Sequence, residues 1–203
     1  MTVSNCFVLY VHGKGGSAVE CEHYKPLFPE YDVFGLDYQT FTPWETGAEI
    51  RSAVKKLKTE YDSIILIAGS IGAYFSMNAD IDSMIGKAYF ISPIVDMEKL
   101  IADRMTWTNV TEVELKKQGV IPTSFGEDLS WEYLCYVREH PVKWSVPTAI
   151  LYGRNDPLTS YETISAFAEN HHARLTVMEN GEHWFHTEEQ MQVLDNWVRE
   201  ESK

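Results

Sequence analysis

Residues 63–74, Ser-Ile-Ile-Leu-Ile-Ala-Gly-Ser-Ile-Gly-Ala-Tyr, constrain the fold more than any other stretch. The first half is an unbroken apolar, β-branched run bounded by polar residues. It is too short for a helix and reads as a strand buried on both faces, as in a parallel sheet. The run breaks at a cluster of small residues around Ser70, and residues 73–79 beyond it are good helix formers with no proline. The local shape is strand, sharp turn, helix. A serine at the apex of such a turn is pushed out of the sheet, and the N–H of the next residue, Ile71, lies at the start of a helix.

Five further apolar runs have strand character: residues 6–11, 31–36, 87–91, 147–152 and 174–178. Helical signals separate most of them. Ser17 is a reasonable N-cap for a helix over 18–28, with Glu20 as its capping-box partner. Thr42, Pro43 and Glu45 occupy N-cap, N1 and N3 of a helix whose Ile50, Ala53, Val54 and Leu57 recur at helical spacing. Helices over 160–170 and 188–200 follow. Six strands alternating with helices imply an α/β chain, a three-layer sandwich with a mostly parallel six-stranded sheet and helices on both faces. Residues 97–146 depart from the alternation. They read as short helices over 98–105, 112–118 and 130–139, rich in aromatics (Trp107, Phe125, Trp131, Tyr133, Tyr136). The 203 residues are expected to form a single domain with 97–146 as an insertion.

Composition excludes some functions. A formal net charge of −13 argues against nucleic acid or an anionic membrane as partner. Cys6, Cys21 and Cys135 are scattered, which fits reduced thiols and no metal-ligand spacing. The first five residues carry no basic residue, and the apolar run after them is short, unlike a secretory leader. The expectation is a cytoplasmic protein with no metal, no nucleic-acid partner and no membrane partner; a homodimer is left open.

The chemistry-bearing residues lie where the strands end. His12-Gly13-Lys14-Gly15-Gly16-Ser17 follows the first strand. A glycine loop there could cradle a phosphate, but neither nucleotide-binding glycine order is present. Asn155-Asp156-Pro157 follows strand 147–152 as a turn, and Asp96 follows strand 87–91 as a competing acid. His183 lies in the loop after the last strand, with His186 as its alternative. His12 reads as ordering its loop, and His23, His140, His171 and His172 as solvated.

Taken together, these segments resemble the α/β-hydrolase superfamily, in particular its small serine hydrolases and esterases. Ala68-Gly69-Ser70-Ile71-Gly72 resembles the nucleophile elbow G-x-S-x-G, with Ala68 in place of the first glycine. The loop after the first strand is similar to the family's H-G-x-G-G loop, and the order Ser70, Asp156, His183 is the family's order. The resemblance covers nearly the whole chain except 97–146. It implies a sheet order of 2-1-3-4-5-6 and a catalytic set of Ser70, Asp156 and His183. It also implies an oxyanion hole from the N–H groups of Lys14 and Ile71. No cofactor is implied. The substrate would be a small-molecule acyl compound, by default a carboxylic ester, with amide, peptide or thioester open. The insertion would act as a cap, and Trp107, Trp131 and Trp184 are candidate substrate contacts. Two other readings stand beside this one. A non-hydrolysing relative would bind a ligand or a protein. A nucleotide-binding protein would place Asp37 on a ribose, but leaves Ser70, Asp156 and His183 without a reason.

Overall fold

A computed structural model describes residues 5–124 and 126–203. Phe125, counted among the insertion's aromatics, and the first four residues lie outside them. The chain divides into two compact units. The larger runs to Val95 and resumes at Lys143; the smaller is Asp96–Val142.

In the larger unit, β1 (Cys6–Val11) is followed by two 3-10 turns, Ala18–His23 and Lys25–Leu27, and by β2 (Asp32–Gly35). Then come α1 (Pro43–Leu57), β3 (Ser63–Gly69), α2 (Ser70–Met77) and β4 (Lys87–Ile91). The smaller unit holds α3 (Met97–Trp107), α4 (Glu112–Gln118), β5 (Val120–Ile121), β6 (Leu129–Ser130) and α5 (Trp131–Glu139). The larger unit closes with β7 (Thr148–Gly153), α6 (Tyr161–Asn170), β8 (Arg174–Met178) and α7 (Glu188–Glu201).

The main sheet runs β2-β1-β3-β4-β7-β8, and all five of its ladders are parallel. Counting only the strands of this sheet, that is the expected order 2-1-3-4-5-6. Side chains alternate between its faces. Val8, Tyr10, Val33, Ile67, Tyr89, Ile91, Ala149 and Leu151 share a core with Tyr24 and Phe28, which cap the 3-10 turns, and with Leu194, Trp197 and Val198 of α7. The opposite face carries α2, with α1 beside it. Each fully buried Ile or Leu in these layers contributes about 1.5–3 kcal/mol by leaving water. Ile65 of β3 and Val177 of β8 are half-buried. Val177 lies on the edge strand β8, which lacks a neighbour on one side.

Two local expectations are corrected. The helix expected over 18–28 is a pair of 3-10 turns. Pro26 lacks an N–H and disfavours helical geometry in Lys25, so an α-helix cannot propagate through it. In the smaller unit, β5 and β6 pair antiparallel, a hairpin absent from the sequence reading. Two-residue strands are too short to show alternation.

The first ladder fixes where a site can form. β1 pairs with β2 on one side and β3 on the other, so the strand order reverses between β1 and β3. Chains leaving the carboxyl ends of strands at such a switch point part to opposite faces and open a crevice. The glycine loop leaves β1 there, and Ser70 leaves β3.

Candidate active site

Ser70 has φ +50°, a left-handed conformation that a non-glycine residue adopts only when its surroundings impose it. Two close approaches impose it here. A Cβ on Gly72 would lie 2.3 Å from the His12 carbonyl oxygen, so α2 starts hard against the end of β1 and only glycine fits. A Cβ on Gly13 would stand 2.9 Å from the Ser70 Cβ, so the glycine loop runs directly over the serine. Ala68, the departure from G-x-S-x-G, is fully buried inside β3, paired with Val11 and Phe90. Its methyl group is accommodated in the sheet, one residue before the turn.

The Ser70 hydroxyl lies 2.8 Å from His183 Nε2, and His183 Nδ1 lies 2.7 Å from Asp156 Oδ2. A carboxylate only accepts, so with a neutral ring Nδ1 carries the proton and donates it. Nε2 then accepts from the Ser70 O–H. The Asp156 side chain is fully buried, and its second oxygen accepts the N–H groups of Leu158 at 2.7 Å and Thr159 at 3.2 Å. That is the Asx-type turn expected of Asn-Asp-Pro, and it leaves the carboxylate one direction in which to point.

The competing residues are engaged elsewhere. Asp96 caps α3, accepting the Lys99 N–H at 2.9 Å. His186 stacks on Trp184 with centroids 4.6 Å apart, and its Nδ1 bonds to the Trp184 carbonyl oxygen. His12 is buried and stacked on Tyr38, whose hydroxyl donates to the His12 carbonyl oxygen at 2.8 Å. It orders the loop. Asp37 is exposed and accepts from the Gln39 side chain. His23, read as solvated, is half-buried and lies 2.7 Å from Asp195 of α7.

The two residues whose N–H groups the resemblance makes oxyanion donors lie on segments next to Ser70. Ile71 is the second residue of α2, where an N–H has no acceptor within the helix. Lys14 sits in a turn closed by the Gly16 N–H on the Gly13 carbonyl oxygen at 3.2 Å. Gly15, with φ +76°, supplies the left-handed third position of a type II turn.

A cleft of about 520 Å³ opens beside Ser70 and His183. Ile91, Tyr24, Phe185, Met191 and Leu194 give it apolar walls, and Trp184, 72% exposed, stands on its lining. Of the three tryptophans expected to meet substrate, Trp184 is the one on this lining. Trp107 and Trp131 belong to the smaller unit, Trp107 ending α3 and Trp131 opening α5 beneath the Lys116 ammonium. Tyr10, Glu20 and His23 also line the cleft, and the sequence reading missed all three in this role. Glu20 was legible only as a helix-capping residue, since nothing in the order of residues brings it to a strand end. Among the described residues, no group of three His, Cys, Asp or Glu side chains could hold a metal ion. Nor is any helix among them long and apolar enough to cross a membrane.

The parallel sheet, the elbow at its switch point and the Ser70–His183–Asp156 chain together define a protein with the α/β-hydrolase fold. Solved structures agree. Est1E from Butyrivibrio proteoclasticus superimposes with a TM-score of 0.77 at 16% identity, covering 98% of this chain and 88% of its own. The α/β-hydrolase domain-containing protein 10 from mouse gives 0.71 at 11% identity, covering 96% and 88%. An α-β serine hydrolase homologue from Coxiella burnetii gives 0.64 at 13% identity, covering 99% and 86%. No protein-family model matches the chain, and no curated protein matches it in sequence.

Proposed function

We propose that this protein is a serine hydrolase that cleaves a small-molecule carboxylic ester through an acyl-enzyme. One observation carries the reading: the unbroken hydrogen-bonded chain from the Ser70 hydroxyl through His183 to the buried Asp156. The strained backbone at Ser70 adds to it, because strain of this kind clusters at working sites.

The chemistry follows from the atoms. Ser70 Oγ attacks the ester carbonyl while His183 Nε2 takes its proton. Asp156 holds the ring by Nδ1 and stabilises the imidazolium that results. Negative charge gathers on the carbonyl oxygen, and in this reading the N–H groups of Ile71 and Lys14 receive it. Losing one such donor typically costs about 10²–10³ in rate. The tetrahedral adduct collapses, His183 returns the proton to the departing alcohol, and the acyl group stays on Ser70. Water, deprotonated by His183, then attacks the acyl carbonyl; the bond to Ser70 Oγ breaks, His183 returns the proton to that oxygen, and the acid is released.

The apolar walls favour an acyl group larger than acetyl, since pockets of roughly 300–1,000 Å³ bury most of a drug-sized ligand. Est1E binds ferulic acid, so an aryl-acyl ester joins the substrates to be tried. The test is hydrolysis of acetyl, hexanoyl and feruloyl esters by the protein and by its Ser70→Ala variant. The reading expects turnover of at least one ester, reduced about 10⁵-fold or more in the variant. Equal turnover by a folded Ser70→Ala protein would sink it. Silence on every ester would favour a ligand-binding protein on this fold.

A further inference from the structure

We infer that Glu20 is a positioning residue: it holds the loop 13–17 against Ser70, so that the Lys14 N–H faces the developing oxyanion. This rests on the reading of Ser70 as the nucleophile.

The loop is fixed at both ends, and only one end is explained by the nucleophile. At its start, Gly13 lies over Ser70, near enough that a Cβ there would come within 2.9 Å of the serine's own. At its far end the loop meets Glu20. The Ser17 N–H donates to Glu20 Oε1 at 3.2 Å, and the same oxygen lies 2.8 Å from where a Cβ on Gly16 would stand. The carboxylate therefore sits against the backbone at 16 and is hydrogen-bonded to it at 17. Its other oxygen, Oε2, accepts the Tyr10 hydroxyl at 2.5 Å. Tyr10 is buried in β1, two residues before His12, in register with Gly35 and Ile67 of the flanking strands. One carboxylate thus ties the far end of the loop back to the strand that delivers its near end.

Helix capping does not account for this arrangement. A capping carboxylate needs one oxygen for the N-cap N–H, and its second oxygen ordinarily faces water. Here that oxygen is taken by a buried phenol in a short charge-assisted bond. The phenol keeps its proton: burial, reinforced by the Glu20 bond and charge, holds it far above the ordinary tyrosine range. Tyr10 is therefore the donor of this bond and a Glu20 oxygen its acceptor. The turn between these anchors carries Lys14 and closes through the Gly16 N–H on the Gly13 carbonyl oxygen. Moving residue 16 or 17 moves that turn, and with it the Lys14 N–H.

Steady-state kinetics with the best ester, and inhibition by a boronic acid that mimics the tetrahedral adduct, test the inference on the full-length protein. In Glu20→Ala, kcat is expected to fall about 10–100-fold, the scale on which misplacing a catalytic group by about an ångström acts. KM should change less than about threefold, and boronate affinity should fall in step with kcat/KM, because the lost interaction belongs to the transition state. Glu20→Gln keeps the shape but has one acceptor oxygen for the two donors, Ser17 N–H and Tyr10 O–H, so it should restore part of kcat. Tyr10→Phe, which keeps the ring and loses the tie, should fall between them; it carries the test alone if Glu20→Ala does not fold. Wild-type kcat in Glu20→Ala, or in Tyr10→Phe where only that variant folds, overturns the inference. So does a loss that appears in KM alone, or one that Gln does not relieve. The underlying reading fails separately: a Ser70→Ala protein with full activity removes the nucleophile whatever Glu20 does.

Discussion

Asp156 and His183 are joined at 2.7 Å, and the carboxylate that makes the bond is fully buried. The pair comes from two different loops, one after β7 and one after β8, which are neighbours in the sheet. Their parallel register brings both loops to the same end, and the two N–H bonds on Asp156 Oδ1 leave Oδ2 aimed at the imidazole. A buried carboxylate is costly unless every oxygen is satisfied. This one accepts two backbone N–H bonds on Oδ1, and its Oδ2, by accepting from Nδ1, fixes the histidine's tautomer.

Replacing Asp156 with Asn keeps the shape and removes the charge. An amide in this place presents the wrong hydrogen-bonding pattern to Nδ1 and does not stabilise the imidazolium. Activity should fall about 10³–10⁴-fold, with KM within a few-fold of wild type. Rate measurements on the purified variant check this, and a loss smaller than about tenfold would count against Asp156 as the acid.

Gly72→Ala should damage fold and site together. The new methyl would meet the His12 carbonyl oxygen at 2.3 Å, with the Val11 oxygen at 2.7 Å, and backbone cannot swing aside as a side chain can. The expected cost is about 3 kcal/mol, at the upper end of overpacking changes. Urea denaturation measures it. Unchanged stability together with unchanged activity would mean that the elbow is looser than described.

Stability should fall steeply above pH 10. Burial raises the phenols of Tyr10, Tyr24 and Tyr38 above the ordinary value of 10.0. Their folded values lie above their unfolded ones, so the stabilisation is complete below pH 10. It is lost as pH rises further, because the unfolded chain releases protons that the folded chain keeps. Each phenol adds a slope of about 1.4 kcal/mol per pH unit. Phenolate absorbance from these residues should appear only as the protein unfolds. If all eleven tyrosines ionise near pH 10 in the folded protein, the three are not held as described.

Trp184 stands exposed on the cleft lining beside His183, where it can stack on substrate without touching the proton path. Trp184→Ala should raise KM about fivefold, the equivalent of roughly 1 kcal/mol of aromatic contact. Its kcat should stay within a factor of about two, because the contact is made equally in the ground and transition states. A fall in kcat with constant KM would place Trp184 in the support of His183 instead.

What was legible in the sequence was local. Continuous apolar runs marked the strands, because a parallel sheet covered on both faces needs apolar residues at every position. The small residues around Ser70 marked the turn, because only they allow strand and helix to approach. Asp156 and His183 each follow a strand within a turn-rich loop, as Asp96 also does, and the resemblance to the α/β-hydrolase order was what singled them out. The 3-10 turns after β1 were misread as one helix because capping signals at Ser17 and Glu20 outweighed the single break at Pro26. Tyr10, Glu20 and His23 were invisible as cleft residues. Their meeting depends on how a strand, a turn and α7 pack across the sheet, and no spacing along the chain records that.

The most direct test of the central claim is labelling with a fluorophosphonate probe, followed by mass mapping of the modified peptide. The account predicts one adduct, on Ser70, formed by the wild-type protein and lost in His183→Ala. No adduct on Ser70 in folded protein that also leaves p-nitrophenyl acetate intact would contradict it: the 2.8 Å contact between Ser70 and His183 would then not activate the serine.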